Sequence, residues 1–301
     1  MSHKPHSAAV LTELRDDWWS TDFLRLMVER LQLHQYERIL DVGSGQGHWG
    51  QRLLPLVSET ATLVGVDQES SWVEKATHRA AEVGLEDRCS YQVSSAETLP
   101  LADASVSLVT CQTLLMHVPD PGVVVDEMLR VLEPGGRLLL LEPNNLAQQF
   151  AADSVYQALT AAQIGHVMTL FVTCSRGRAA LGRGDDCIGD RLPKMLATRG
   201  LGGISVFQNE RNNHIVGPYG ARAQAQLDQA ISYARDGFWL WNEADAKELY
   251  AAGGGELDAF RLHYDAFKER TALFHTQVQA GTYTSNNGSL HYVVSAIKPA
   301  A

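Results

Sequence analysis

The run Asp41-Val42-Gly43-Ser44-Gly45-Gln46-Gly47 sets three glycines at alternate positions, after an apolar stretch from Arg38 to Val42 and ahead of a helical pattern from Trp49 to Val57. A strand that turns through glycines into a helix lets a ligand approach backbone amides at the helix N-terminus. Asp67 closes the next strand pattern, Thr62 to Val66, 22 residues beyond Gly45. A carboxylate at that place can accept both hydroxyls of a ribose, so the two features together imply an adenosine-type ligand. The dinucleotide fingerprint G-x-G-x-x-G is not met, because His48 stands where its third glycine belongs. Weak binding of NAD is the expectation.

Other chemistries are excluded by spacing. His166, His214, His263, His275 and His291 show no ligand spacing, and Cys89, Cys111, Cys174 and Cys187 contain no C-x-x-C pair, so neither a metal site nor a disulfide framework is expected. Arg176, Arg178 and Arg183, among glycines between Ser175 and Asp186, read as a solvated loop or as a clamp for an anionic substrate group.

The chain has 301 residues, 45% hydrophobic and 20% charged, which excludes disorder as the main state. The formal charge of -10 argues against a broad nucleic-acid or anionic-membrane footprint and favours a small-molecule partner. No apolar run approaches the roughly 20 residues of a membrane span, and Met1 to Val10 lacks the apolar core of a signal peptide. A cytoplasmic protein, monomer or homodimer, is the expectation.

The elements that must position these residues alternate. A helix with Leu24, Met27, Val28 and Leu31 on one face follows Thr21-Asp22 as N-cap. Strand patterns then recur at Arg38 to Val42, Thr62 to Val66, Cys89 to Val93, Val106 to Thr110 and Arg137 to Leu141, with helices between them at Trp49 to Val57, Ser70 to Val83 and Gly122 to Leu132. This order predicts an α/β fold, a doubly wound and mostly parallel sheet with function at the carboxyl ends of its strands. Ser154 to Thr173 and Asp190 to Arg199 read as helices, and Gly203 to Phe207 as a sixth strand. Residues 218–284 are read as a helical cap, with helices at Ala221 to Tyr233, Glu243 to Ala251 and Glu256 to Gln279. In the last, Leu257, Phe260, Tyr264, Phe267, Thr271, Phe274 and Val278 form a seam that must be buried, within the cap or against a second copy. Asn286-Asn287-Gly288 is read as a turn into a final strand, Ser289 to Ile297, paired with the sixth. The expected divisions are an N-terminal helical segment 1–37, a core 38–217, the cap 218–284 and a closing strand 285–301.

Five runs carry a family resemblance: Ile39 to Gly47, Val64-Gly65-Val66-Asp67, Ser95-Ala96-Glu97-Thr98-Leu99-Pro100-Leu101, Leu115-Met116-His117-Val118-Pro119-Asp120 and Leu132-Glu133-Pro134-Gly135-Gly136-Arg137. In this order they resemble the class I S-adenosylmethionine-dependent methyltransferases, and within them the small-molecule, quinone-biosynthesis-like branch. The resemblance covers about residues 36–145 and implies a Rossmann-like fold with S-adenosylmethionine as cofactor and S-adenosylhomocysteine as product.

By position, the resemblance implies that Gly43, Ser44, Gly45 and Gly47 approach the methionine part of the cofactor, with Asp41 below them contacting its amino group directly or through water. Asp67, with Gln68 beside it, would take the ribose. Trp72 falls where the family often has a Met or Leu on the adenine face, or it packs helix against sheet. Ser95, Ala96 and Glu97 would meet the adenine edge; the family usually has an Asp where Ser95 stands. Gln112 would contact the methionine end, and one of Trp18 and Trp19, taken as Trp19, would cover the sulfonium.

Methyl transfer to a hydroxyl, acidic carbon or ammonium needs a proton acceptor, and His117 and Glu142 are the catalytic candidates, each with a structural alternative. Trp239 and Trp241, and Asn144 beyond Glu142, are read as acceptor-binding. The function expected is methyl transfer to a small molecule held between the strand ends and the cap. The alternatives are a cofactor-binding regulatory module without turnover and, further off, an NAD-type enzyme.

Overall fold

A computed structural model describes residues 18–150, 153–210, 213–287 and 290–300. Its strands are β1 (Arg38–Val42), β2 (Thr62–Asp67), β3 (Cys89–Val93), β4 (Val106–Gln112), β5 (Leu132–Pro143), β6 (Gly202–Gln208), β7 (Asn213–Ile215), β8 (Ser285–Asn287) and β9 (His291–Ile297). Its helices are α1 (Thr21–Arg30), α2 (His48–Val57), α3 (Ser70–Glu82), α4 (Pro121–Val131), α5 (Ser154–Ala158), α6 (Ala161–Ala180), α7 (Ile188–Thr198), α8 (Ala221–Arg235), α9 (Glu243–Ala252) and α10 (Leu257–Gln279). The chain divides into two compact units, one built on the large sheet and one from Asn144–Cys187 with Asn212–Leu290.

In the first unit the strand order is β3-β2-β1-β4-β5-β9-β6. Strands β1 to β5 run parallel, and β9 is antiparallel to both β5 and β6. The expected pairing of the sixth strand with the last is present, with Phe207 opposite Val293. All seven residues of β4 are buried, as a central strand covered on both faces requires. Alternate residues feed two cores: Leu40, Val109 and Leu140 meet α4 and α7 through Val124, Met128, Leu192 and Leu196. On the other face Ile39, Leu108 and Leu139 meet α1 and α2 through Met27, Val28, Leu53 and Leu54.

The second unit is helical, with a small antiparallel pair of β7 and β8. The seam of α10 is buried inside this unit except at Leu257, which is exposed: Phe260, Tyr264 and Phe267 join Val167, Leu170 and Phe171 of α6 and Leu249 and Tyr250 of α9. Helices α6 and α9 approach closely at Gly177 and Gly253, where a side chain would strike the carbonyls of Leu249 and Thr173.

Several local expectations are corrected. Ser20, not Thr21-Asp22, caps α1, its Oγ accepting from the Phe23 amide at 3.1 Å. The stretch from Ser175 is helix to Ala180, so Arg176 and Arg178 sit on α6 and not in a loop. Asn286 and Asn287 lie in β8, not in a turn. Gly288 and Ser289 of that turn and strand, and residues 1–17 of the expected N-terminal segment, lie outside the described residues. The helical unit also takes in residues 144–187, which the sequence divisions assigned to the core.

Candidate functional site

Strand order reverses between β1 and β4, and in open α/β sheets ligands bind outside the strand carboxyl ends at such a point. A cavity of about 210 Å³ lies there, walled in part by Gly43, Asp67, Trp72, Ala96, Gln112 and His117. Gly45, Gln68, Ser95 and Glu97 also border it, so ten of the residues singled out from sequence share one cavity. The wall beyond β4 is completed by Val118 and Pro119 of the run Leu115 to Asp120 and by Thr113 and Leu114, which the sequence did not single out. Their signal was the run after Gln112, where a buried strand must end.

The glycine turn is built as the sequence implies. Gly43, Gly45 and Gly47 have φ of 67°, 53° and 79°, the left-handed region. A Cβ on Gly43 would sit 2.7 Å from Leu114 Cδ1, and one on Gly47 would sit 2.9 Å from Tyr91 Oη. The Ser44 amide donates to the Val66 carbonyl at 2.9 Å, holding the turn against β2.

Asp67 fastens this turn to the start of α3. Its Oδ2 accepts from the Gly45 amide at 2.8 Å and its Oδ1 from the Glu69 amide at 3.1 Å. Each oxygen keeps a further lone pair for a ligand hydroxyl. Burial pushes its pKa up, against the pull of those amides.

Asp41 and Ser44 lie behind the turn and not on the cavity wall. Both carboxyl oxygens of Asp41 and the Ser44 hydroxyl are buried without a hydrogen-bond partner of normal geometry. Burial drives the Asp41 carboxyl up to about 8, the Gly50 backbone opposes, and the charge of Asp67 adds to the rise. Buried Gln112 leaves its Nε2 without a partner. Ser95, exposed, turns its hydroxyl to its own backbone and accepts from the Glu97 amide at 3.2 Å. Half-buried His117 donates its amide to the Leu114 carbonyl at 2.9 Å.

Two candidates stand elsewhere. Glu142 is wholly buried, its Oε1 accepting from the amides of Leu114 and Leu115 at 2.9 and 2.7 Å and its Oε2 from Met116 at 3.3 Å. It holds the segment that walls the cavity and does not itself border it. Burial raises its pKa to about 7, with the amides of Leu115, Leu114 and Met116 opposing. Trp19 is 2% exposed and packs in the sheet core, its ring 5.7 Å from Phe23 and 5.9 Å from Trp49. A ring enclosed in that core is not on the cavity wall.

The acceptor candidates belong to the helical unit. Asn144 Oδ1 accepts from the Ala147 amide at 2.8 Å and so closes its own turn. Trp239 rests on Phe171 with ring centroids 5.6 Å apart. Trp241 donates Nε1 to Thr271 Oγ1 at 3.3 Å and borders a cavity of about 460 Å³ within this unit. Arg178 pairs with Asp186 at 2.6 Å and Arg183 with Glu248 at 2.8 Å, so neither guanidinium waits for a substrate anion. Among the described residues no three His, Cys, Asp or Glu side chains are grouped to hold a metal ion, and no helix is long and apolar enough to cross a membrane.

A family model described as a methyltransferase domain matches residues 33–200, more than half of the chain. The chain belongs to that methyltransferase family. The uncharacterized methyltransferase YcgJ of Bacillus subtilis is 36% identical over 119 residues, covering 40% of this chain and 46% of the relative. The ubiquinone/menaquinone biosynthesis C-methyltransferase UbiE of Haemophilus ducreyi is 30% identical over 141 residues, covering 46% and 54%. The chain thus spans about half the length of these curated relatives. The fold matches the crystal structure of YcgJ, with TM-score 0.51, 20% identity, and coverage of 94% of this chain and 100% of that one. It also matches a putative methyltransferase from Bacillus halodurans, with TM-score 0.52, 18% identity, and coverage of 92% and 99%. In this member of the family, then, the glycine turn, Asp67 and Gln112 converge on one crevice, and Glu142 braces its wall from behind.

Proposed function

We propose that this chain transfers a methyl group from S-adenosylmethionine to a small-molecule acceptor. The observation that carries the reading is the crevice at the β1/β4 switch point, where a glycine turn, a buried ribose-competent carboxylate and an unpaired Gln112 amide meet. These groups, with Asp41 behind the turn, fit the cofactor's parts: backbone and Gln112 donors suit a carboxylate, Asp41 an ammonium reached directly or through water, Asp67 two vicinal hydroxyls, and the Trp72 face a purine. Bound there, the cofactor supplies an electrophilic methyl on a sulfonium. The protein's task is to hold the acceptor in line and keep water out, work that needs positioning more than acid or base. Where the acceptor must lose a proton, His117 on the cavity wall takes it. Glu142 is assigned a positioning role through the amides of Leu114 to Met116. Acceptor choice is assigned to the helical unit through Trp239 and Trp241.

Titration calorimetry with S-adenosylmethionine, S-adenosylhomocysteine and NAD tests the cofactor, and the first two are expected to bind while NAD binds poorly. Preference for NAD would overturn the reading. A labelled-methyl transfer screen over small-molecule classes tests turnover; cofactor binding with no transfer across a broad panel would identify a regulatory module instead.

A further inference from the structure

One wall of the crevice has neither helix nor strand to hold it. Residues 94–97 form it, directly after β3, and no helix or strand follows before β4. One end is tied to β2, where the Ser94 amide donates to the Asp67 carbonyl at 2.9 Å. A turn follows, closed by the Ser94 hydroxyl donating to the Thr98 carbonyl at 2.8 Å. The other end is tied to α4 by two side chains. Glu127 Oε1 accepts from the Leu99 amide at 2.7 Å. Arg130 donates Nη2 to the Leu99 carbonyl at 3.1 Å and Nη1 to the Leu101 carbonyl at 2.9 Å.

The two side chains also bond each other, Arg130 Nε to Glu127 Oε2 and Nη2 to Oε1, both at 2.8 Å. Such a two-point pair fixes geometry as well as charge. The Arg130 guanidinium, helped by the Leu99 amide, holds the Glu127 carboxyl below the usual carboxylate range against its partial burial. With side chains 15% and 33% exposed, Glu127 and Arg130 gain little stability from their mutual attraction alone. Their weight lies in what else they hold. Leu99 is 4% exposed, and its amide and carbonyl, two residues beyond Glu97, are both bonded to the pair. Neither side chain borders the crevice. Any effect of the pair on a ligand must therefore pass through the wall.

We infer that Glu127 and Arg130 are positioning residues for the cofactor, holding residues 94–97 where they meet the adenine edge and so setting both affinity and base discrimination from outside the crevice. The inference rests on the S-adenosylmethionine reading of that crevice. Polar groups that read a ligand must be held to within about 0.5 Å by the bonds behind them, and for this wall those bonds come from one ion pair on α4. A second ion pair on the same helix supplies the comparison. Asp126 pairs with Arg199 at 2.6 Å and, among the described residues, bonds to nothing in the wall.

The test is titration calorimetry on the full chain with S-adenosylhomocysteine and S-inosylhomocysteine, which differ only at the edge of the base. The unsubstituted protein is expected to prefer the adenosyl ligand. Arg130→Met and Glu127→Leu should each weaken S-adenosylhomocysteine by about tenfold and narrow the preference between the two ligands. Glu127→Gln keeps an acceptor for the Leu99 amide and should restore affinity to within about threefold of the unsubstituted protein. Asp126→Asn breaks the other ion pair of α4 and should leave both affinities unchanged. A loss of helix stability alone would lower the melting temperature in all of these variants and leave the preference between the bases intact. Circular dichroism verifies the fold; if Arg130→Met does not fold, Arg130→Lys, which keeps the charge but not the planar fork, should narrow the preference in its place. Hydrogen exchange in the ligand-free protein should quicken at the Leu99 amide in Glu127→Leu and not in Asp126→Asn. Folded Arg130 and Glu127→Leu variants that match the unsubstituted protein in affinity and preference would overturn the inference, as would an equal loss in Asp126→Asn. No binding of S-adenosylhomocysteine by the unsubstituted protein would instead defeat the methyl-transfer reading, and this inference with it.

Discussion

Asp67 and Glu142 are both buried carboxylates that accept backbone amides, yet only Asp67 borders the cavity. Their substitutions should therefore separate. Asp67→Ala removes the acceptor for Gly45 and Glu69 together with any ribose contact, and should weaken S-adenosylmethionine by about 2 to 4 kcal/mol. Calorimetry on the folded variant checks this, and a loss below about 1 kcal/mol would confine Asp67 to holding the turn. Glu142→Ala strands the amides of Leu114, Leu115 and Met116, so it should destabilise the protein by about 3 to 5 kcal/mol in denaturant unfolding. Glu142→Gln keeps one carbonyl oxygen for Leu114 and Leu115 and should retain methyl transfer. Abolished transfer in a Glu142→Gln protein of undiminished cofactor affinity would return Glu142 to the role of proton acceptor.

Elements were legible wherever periodicity and a local stop signal agreed, as in β1 with its glycine turn or α4, which Asp120 caps by accepting from the Gly122 amide at 2.8 Å. The candidate site was legible for the same reason, since strand-end residues in a parallel sheet all arrive at one edge. What failed was set by partners far away in sequence. Ser175-Arg176-Gly177-Arg178 has loop composition, but Gly177 is the point where α6 meets the Leu249 carbonyl of α9, so the helix continues. Trp19 was placed over a cofactor by the family resemblance, one of Trp18 and Trp19 being expected there; its burial against Trp49 follows from the packing of α1 on α2, which no local pattern reports. Asn286-Asn287 has turn composition and pairs instead with His214 and Asn213 of β7. In α6 the two kinds of signal can be weighed. Thr160 and Gln163 form a reciprocal capping box, and Thr160→Ala should cost about 1 kcal/mol. Gly177→Ala must push two helix backbones apart and should cost about 3 kcal/mol or more. Denaturant unfolding with hydrogen exchange over α6 and α9 measures both, and equal losses would mean that the close approach is not tightly packed.

Across the whole molecule, a formal charge of -10 makes further carboxylate ionisation self-repelling, and the two most deeply buried carboxyls act in the same direction. Burial raises Asp41 from 3.8 to about 8 and Glu142 from 4.5 to about 7. Between those values the folded chain binds protons that the unfolded chain has released, so stability falls as pH rises through the interval. Carboxylates with lowered pKa, such as half-buried Glu127 and exposed Glu248, are already ionised above about pH 5 and do not oppose this trend. The shift of Glu142 alone corresponds to about 3 kcal/mol. Melting temperature should therefore decline between about pH 5 and pH 8, and the double variant Asp41→Asn, Glu142→Gln should flatten the decline. A cofactor whose ammonium lies near Asp41 favours the ionised carboxyl, so binding near neutral pH should release a proton from Asp41. The observed binding enthalpy should then vary with the ionisation enthalpy of the buffer, and Asp41→Asn should abolish that dependence. A binding enthalpy indifferent to buffer in the unsubstituted protein would mean that Asp41 keeps its protonation state, and its place beneath the methionine end would have to be abandoned.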